Sequence, residues 1–214
     1  MLPSIFQKII KRYKNNPSRI KDITQYFESD NNFNKLYPPY IQNLARRHWT
    51  PLAVAEAAAV FLAEKDGTKI LDIGSGAGKF CISAAHYKPN AFYYGIEQRK
   101  NLVEQAELVK NRLRLNNVSF MHGNFTKIDL RNYDHFYFYN AFYENLVKDE
   151  KIDESIDYSS EMFHYYTNHF IKQLKQMPAG TKLATYHSMD SEVPAGFTLV
   201  GTEIGGLVKF WIKN

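Results

Sequence analysis

The stretch Lys69–Ala85, KILDIGSGAGKFCISAA, decides the fold of this chain. Its apolar residues Ile70, Leu71 and Ile73 predict a short buried strand. The strand is interrupted by one acid, Asp72, and is followed by glycines at every second position, which are Gly74, Gly76 and Gly78. Because glycine adopts a positive φ without steric cost and lets the backbone approach a ligand, this stretch predicts a strand, a ligand-binding turn and a helix.

The spacing of these glycines excludes two common phosphate-binding motifs. A P-loop requires Gly-Lys followed by Ser or Thr, whereas here Lys79 is followed by Phe80. A dinucleotide fingerprint requires G-x-G-x-x-G, and Gly78 comes one position too early for it. A nucleoside-binding turn and an ordinary tight turn of another α/β protein remain as alternatives.

A second acid favours the nucleoside-binding turn. Phe92–Ile96 predicts another buried strand, and Glu97 follows it, 25 residues after Asp72. A carboxylate at the end of the second strand can accept hydrogen bonds from both ribose hydroxyls of a bound nucleoside. The two stretches together therefore predict a nucleoside-containing ligand.

With Glu97 in place, the glycine turn resembles that of the class I S-adenosylmethionine-dependent methyltransferases. The resemblance implies a doubly wound α/β fold, Rossmann-like, with a seven-stranded mixed sheet whose last strand is antiparallel. It also implies S-adenosylmethionine as the cofactor, no metal, and direct transfer of the methyl group to an acceptor.

The rest of the chain has the strand and helix pattern that such a sheet needs. Further strands are predicted at Val118–Met121, His135–Tyr139 and Thr181–His187, alternating with helices. Gly205-Gly206 separates two apolar runs near the end and predicts an antiparallel closing hairpin. The alternation predicts a parallel sheet completed by this hairpin.

Ligands bind at the carboxyl ends of parallel strands, so the residues that follow the strands are expected to meet in one cleft. By resemblance, Asn124 reads the adenine amino group beside the apolar wall of Phe125, and Thr50 lies near the methionine end. The cofactor-binding residues expected in full are Thr50, Asp72, Gly74, Ser75, Gly76, Gly78, Glu97, Gln98, Asn124, Phe125 and Asn140.

The end of the fourth strand is expected to face the transferred methyl group. The amide of Asn140 is suited to orient an amine, with Phe142 and Tyr143 as aromatic walls, and these three are the predicted catalytic residues. The alternative is that the aromatic residues belong to the core and Asn140 alone points outward.

Two methyltransferase groups are similar to the chain around Asn140. Amino-methylating enzymes carry [DN]-P-P-[YFW], of which Asn140–Tyr143 keeps only the first and last residues. Similarity to the disruptor-of-telomeric-silencing histone-lysine methyltransferases extends to Gly74–Gly78, Gly95–Glu97, Gly123–Phe125 and Asn140–Phe142. The resemblance implies N-methylation of an amine, either in a protein lysine or in a small molecule.

Charge is concentrated near the start of the chain. The first 50 residues contain nine Lys or Arg and three Asp or Glu, a net charge of +6 within an overall +5. Apolar residues of Leu2–Tyr13 recur at helical spacing, and Thr50-Pro51 predicts a helix start with Thr50 as the N-cap. We expect a helical N-terminal cap at 1–65 and a methyltransferase domain at 66–214.

The basic cap suggests a second function class and a partner. An excess of Lys and Arg suits nucleic acid, anionic lipid or an acidic protein, although charged runs also simply face solvent. The alternative to amine methylation is therefore an RNA methyltransferase, or a cofactor-binding module that contacts nucleic acid through the cap. The oligomeric state is left open.

Three further features concern the substrate, a possible metal site and the location of the protein. Residues 144–161 form an acidic insert that either receives a basic substrate or faces solvent. His164 and His169 are five residues apart and do not share a helical face, so no metal site is expected there. The single cysteine and the lack of a long apolar run predict a cytoplasmic protein without a membrane span.

Overall fold

The structure, a computed structural model, describes residues 23–147 and 151–214. The strands are β1 Lys69–Ile73, β2 Phe92–Glu97, β3 Val118–His122, β4 His135–Tyr139, β5 Lys182–Tyr186, β6 Phe197–Glu203 and β7 Val208–Lys213. They form one sheet of order β3-β2-β1-β4-β5-β7-β6, in which β1 to β5 are parallel and β7 is antiparallel to both of its neighbours. The predicted seven-stranded sheet and its closing hairpin are confirmed.

Helices cover both faces of this sheet. Those of the described residues are α1 Asp30–Asn34, α2 Pro39–Gln42, α3 Ala45–His48, α4 Leu52–Leu62, α5 Lys79–Tyr87, α6 Lys100–Leu113 and α7 Ser160–Lys175. One face packs against α4 and α5, with α6 beside α5, and the other packs against α7. The layers therefore follow the doubly wound arrangement expected from the sequence.

Alternation along β1 shows why its sequence is almost wholly apolar. Ile70 packs into the cluster that includes α4 and α5, whereas Leu71 and Ile73 pack into the cluster that includes α7. All three side chains are buried because both faces of a central parallel strand are covered.

The start of α4 differs from the prediction. The N-cap residue is Pro51, and Thr50 instead forms a 3.0 Å hydrogen bond between its hydroxyl and that of Tyr137. The backbone amide of Leu52, the first residue of α4, donates to Oδ1 of Asp30 at 3.0 Å. A carboxylate from 22 residues upstream thus caps this helix, which local sequence rules do not predict.

The described part of the N-terminal segment packs against the glycine turn and the helix after it. Phe33, Tyr37 and Trp49 share a buried cluster with residues of α5 and α6. The Tyr37 hydroxyl donates to the carbonyl of Ala77 at 2.8 Å. The helix predicted at Leu2–Tyr13 lies outside the described residues.

The described part of the N-terminal segment also contains a short 3-10 turn at Gln25–Phe27. Helix α4, which the sequence interpretation placed in the cap, packs directly on the sheet. The boundary between residues 65 and 66 stays a prediction.

Candidate active site

The site lies where the strand order reverses. β1 has β2 on one side and β4 on the other, so the chain leaves these strands in opposite directions and a crevice opens at their carboxyl ends. Two adjoining cavities occupy this crevice, a small one of about 40 Å³ and a larger one of about 460 Å³. Both are lined by Gly74, Glu97, Arg99, Ala141 and Glu144.

Gly74 allows the turn to approach the end of β4. Its φ is +77°, and a Cβ at this position would lie 2.6 Å from the Cβ of Ala141, which is shorter than van der Waals contact. The amides of Gly74 and Ser75 both donate to the carbonyl of Ile96 at 3.0 Å. The turn after β1 is therefore fixed to the end of β2, where Glu97 begins.

Glu97 lies in the wall between the two cavities and is held by the backbone. Its Oε2 accepts a hydrogen bond from the amide of Gly76 at 3.1 Å, and its Oε1 accepts one from the amide of Arg99 at 2.8 Å. Burial raises the pKa of this carboxyl, and the charge of Arg99 opposes the shift. A buried, oriented carboxylate at the end of β2 matches the expected ribose-binding position.

Arg99 follows β2 and lies in the wall of both cavities. It is buried, and its guanidinium contacts Oε1 of Glu97 at 3.4 Å, Glu144 at 2.7 Å and Asp153 at 3.2 Å. It also donates to the Tyr158 hydroxyl. No local sequence pattern indicates these contacts, because the partners of Arg99 other than Glu97 lie 45 or more residues downstream.

Part of the acidic insert therefore lies over the crevice, within the residues that the structure describes. We call residues 151–158 the strap. Its Ile156 and Tyr158 line the small cavity and its Ile152 lines the larger one. Because Glu144 and Asp153 are both paired with Arg99, these two carboxylates are not free to receive a basic substrate.

The predicted cofactor residues divide into two groups. Those that line one or both cavities are Gly74, Gly76, Glu97, Gln98, Phe125 and Asn140. The others, which line neither cavity, are Thr50, Asp72, Ser75, Gly78 and Asn124. The sequence could place each of these residues in a turn or at a strand end, but whether its side chain lines a cavity depends on packing across the sheet.

Asp72 lies behind the glycine turn and not in the crevice. Its carboxyl is buried and accepts a hydrogen bond from Sγ of Cys81 at 3.7 Å. Burial raises the pKa of Asp72 to about 8. At neutral pH this carboxyl is therefore largely protonated, as its apolar surroundings require.

The raised pKa of Asp72 predicts that the unfolding free energy of the protein depends on pH, and Asp72→Asn should remove this part of the dependence. A carboxyl with a raised folded pKa is fully favourable to folding below its unfolded pKa of about 4, and this contribution is lost as pH rises toward 8. Relative to the wild type, the variant should gain several kcal/mol in unfolding free energy between pH 4 and pH 8. Urea unfolding across this range measures the gain, and parallel pH profiles for the two proteins would refute the shift.

The larger cavity contains the residues at the end of β4. Asn140 and Tyr143 line it, as predicted, together with His187 after β5. Asn140 and His187 have φ values of +43° and +51°, which are uncommon for residues with a side chain and recur at functional sites. Arg47 and His48 of α3 complete the rim, and no sequence motif pointed to them.

Phe142 does not stand beside Asn140 as an aromatic wall of the larger cavity. It is buried and lines the small cavity, with its ring centroid 5.1 Å from that of Phe125 and 4.9 Å from that of Phe138. Phe142 therefore packs with the core aromatic residues and also lines the small cavity, and its catalytic role stays a prediction. Tyr143 is 39% exposed at the cavity rim.

The residues of the crevice fit S-adenosylmethionine. A nucleoside requires a carboxylate for its ribose and an apolar slot for its base, and Glu97 adjoins a slot walled by Ile96 and Phe125. Gly74 lines both cavities with backbone atoms alone, and a Cβ at this position would overlap with Ala141. Within residues 23–147 and 151–214, no cluster of three or more His, Cys, Asp and Glu could hold a metal, and no helix could span a membrane.

Comparison with known sequences gives matches to methyltransferases. The segment 64–190, more than half of the chain, matches a family described as "Methyltransferase domain". A tRNA (guanine-N(7)-)-methyltransferase of Synechococcus sp. (strain JA-3-3Ab) is 43% identical over 54 residues, which are 25% of this chain and 23% of that protein. The corresponding enzyme of Microcystis aeruginosa is 33% identical over 87 residues, 40% of each chain.

A release factor glutamine methyltransferase of Buchnera aphidicola is 31% identical over 77 residues, 36% of this chain and 28% of that protein. The chain thus matches less than half the length of each of these relatives.

Solved structures share the fold at low sequence identity. TrmN from Thermus thermophilus superposes with a TM-score of 0.57 at 18% identity, covering 80% of this chain and 51% of that one. An RNA methyltransferase from Salinibacter ruber in complex with S-adenosyl-L-homocysteine has a TM-score of 0.50 at 20% identity, covering 77% and 93%. The solved structures thus share the fold of this chain, and the family match over 64–190 shows that the chain belongs to the methyltransferase domain family.

Proposed function

We propose that this enzyme methylates a nitrogen atom of its substrate by direct in-line transfer. In this proposal Gly74, Gly76 and Glu97 hold the cofactor, with the ribose at Glu97. The base then occupies the small cavity and the acceptor enters the larger one. The observation that carries the proposal is the position of Asn140, at the carboxyl end of β4 and in the wall of the larger cavity.

S-adenosylmethionine supplies a methyl group bound to a positively charged sulfur. The protein then has to orient the acceptor and exclude water, and it needs no covalent enzyme intermediate. The Asn140 side chain makes no hydrogen bond to other residues that the structure describes, while its backbone amide donates to Oγ of Ser188 at 3.3 Å. Its Oδ1 is therefore available to accept an N–H of the substrate and aim the nitrogen lone pair.

The relatives support a nitrogen-containing acceptor. Two of them are named for position N(7) of guanine in tRNA, and another is named for glutamine in a release factor. These names describe those proteins, over segments that cover less than half of their length. For this chain, protein side chains, nucleobases and small amines are the acceptors to be distinguished.

RNA is the second candidate substrate, and the charge of the cap supports it. Arg46, Arg47 and His48 form most of α3, and the last two lie at the rim of the larger cavity. The first 50 residues carry the net +6 noted above. Basic side chains beside the acceptor entrance are placed to contact phosphates, which would make binding strongly dependent on salt.

The test is transfer of a labelled methyl group into separated RNA, protein and small-molecule fractions of a lysate, followed by mass spectrometry of the methylated product. We expect label on nitrogen in one fraction and at least roughly tenfold less of it with Asn140→Ala, with a much smaller change in S-adenosylhomocysteine affinity in that variant. Asn111→Ala, on the exposed face of α6, is the matched control.

If RNA is the acceptor, its binding should fall steeply as salt is raised. Label on carbon or oxygen, or full activity of Asn140→Ala, would contradict the proposal.

A further inference from the structure

The buried amide oxygen of Asn145 has no hydrogen-bond partner among the described residues. Asn145 ends the 3-10 turn Tyr143–Asn145 after β4, and its Nδ2 donates to the carbonyl of Phe142 at 2.9 Å. That bond fixes the orientation of the amide and leaves Oδ1 buried and unpaired. An unpaired buried acceptor costs about 1–3 kcal/mol, so its presence calls for a functional explanation.

Asn145 lines the small cavity of the crevice. Ile96, Phe125 and Phe142 form an apolar part of the wall of this cavity. Glu97 lines both this cavity and the larger one. A nucleoside with its ribose at Glu97 would therefore place its base in the small cavity. There an unpaired acceptor favours a base that carries an amino group over one that carries a carbonyl oxygen.

Asn124, which the sequence pattern assigned to this task, is engaged elsewhere. Its Oδ1 accepts the amide of Thr126 at 3.0 Å, which caps a 3-10 turn. Its Nδ2 donates to Oε1 of Gln98 and to the hydroxyl of Tyr166, each at 3.0 Å. Asn124 lines neither cavity and braces the wall behind Gln98 and Phe125.

We propose that Asn145, and not Asn124, recognises the amino group of the cofactor's adenine through Oδ1. This proposal rests on the cofactor placement given under the proposed function. It assigns to the turn after β4 a role in choosing an adenosine cofactor over its inosine equivalent. Asn145 is thus a specificity-determining residue of the cofactor site.

Adenine cannot enter the small cavity without a change in its outer wall. The cavity measures about 40 Å³, whereas one water molecule needs about 10–15 Å³ on the same measure, so the cavity holds only a few water molecules. Ile156 and Tyr158 of the strap line this cavity, and we expect them to move when a base binds. Asn145 is held by its hydrogen bond to the carbonyl of Phe142 and is expected to keep its orientation.

The experiment compares the dissociation constants of S-adenosylhomocysteine and of its deaminated analogue S-inosylhomocysteine by titration calorimetry. The wild type should prefer S-adenosylhomocysteine by at least roughly tenfold, since a neutral hydrogen bond is replaced by two facing oxygens. Asn145→Ala should lose most of this preference. Asn145→Leu, which has a similar volume but no acceptor oxygen, should lose the preference as well and replaces the alanine variant if that variant is unstable.

Asn124→Ala is the control, because a bracing residue should affect both ligands equally. A wild-type preference that survives in Asn145→Ala, or that disappears only in Asn124→Ala, overturns the assignment and leaves the cofactor site intact. Failure of the wild type to bind either ligand overturns the cofactor placement itself, and this proposal with it.

Discussion

Replacement of Glu97 by alanine is expected to weaken S-adenosylhomocysteine binding by at least about 100-fold. The reason is that its carboxylate would accept hydrogen bonds from both ribose hydroxyls, and charge-assisted bonds contribute about 1.5 kcal/mol or more each. The geometry needed for this is already set, because the amides of Gly76 and Arg99 hold the two carboxylate oxygens. Titration calorimetry or equilibrium dialysis with labelled ligand measures the loss.

Two further variants make this result specific. Glu97→Gln keeps the volume of the side chain but exchanges one acceptor oxygen for a donor, so we expect an intermediate loss of affinity. Glu104→Ala removes an exposed carboxylate of α6 that pairs with Lys100 at 3.7 Å, and this variant should bind as the wild type does. A folded Glu97→Ala protein with unchanged affinity would show that the ribose binds elsewhere.

Gly78→Ala should cost about 2–5 kcal/mol of unfolding free energy, a large part of the stability of an ordinary domain. Gly78 has a φ of +83°, and a Cβ there would lie 2.4 Å from Cζ of Phe120 and 2.9 Å from Cβ of Ala106. The variant therefore adds a left-handed backbone penalty of about 1–2 kcal/mol to a steric overlap between the start of α5, β3 and α6.

Gly67→Ala separates these two contributions. Gly67 has almost the same φ, +80°, but a Cβ there would meet no atom within 4 Å. It should lose only the backbone penalty, so urea unfolding of the two variants gives the cost of the overlap by difference. Equal losses would mean that Phe120 moves aside freely and that this contact does not constrain the turn.

The features that the sequence predicted correctly depend on residues that are close to one another in the chain. The alternation in Lys69–Ile73, the glycines after it and the acid after β2 depend on neighbours within a few residues, so strand, turn and Glu97 could be predicted together. The closing hairpin was equally local, since Gly205-Gly206 lies between its two strands.

What the sequence did not predict depends on contacts between distant residues. Asp30 caps α4 from 22 positions away, and Thr50, the predicted N-cap, instead forms a hydrogen bond with Tyr137. The burial of Arg99 depends on Glu144 and Asp153, which contact it from 45 and 54 positions downstream. In the same way, the pairing of Asn124 with Tyr166 of α7 could not be inferred from the motif around it.

The strap shows how such distant contacts bear on function. Asp153 and Tyr158 meet Arg99, which in turn meets Glu97, so a chain of contacts joins the strap to the predicted ribose position. Whatever moves the strap outward therefore also changes the surroundings of the carboxylate. Within the described residues, Glu144 and Asp153 of the acidic insert contact Arg99, which links the insert to Glu97.

The most direct test of the site as a whole is a crystal structure of the enzyme with S-adenosylhomocysteine. We predict both ribose hydroxyls on Glu97, the adenine amino group on Oδ1 of Asn145, and the sulfur facing the larger cavity beside Asn140. Ligand bound outside this crevice, or bound with its ribose away from Glu97, would contradict the account.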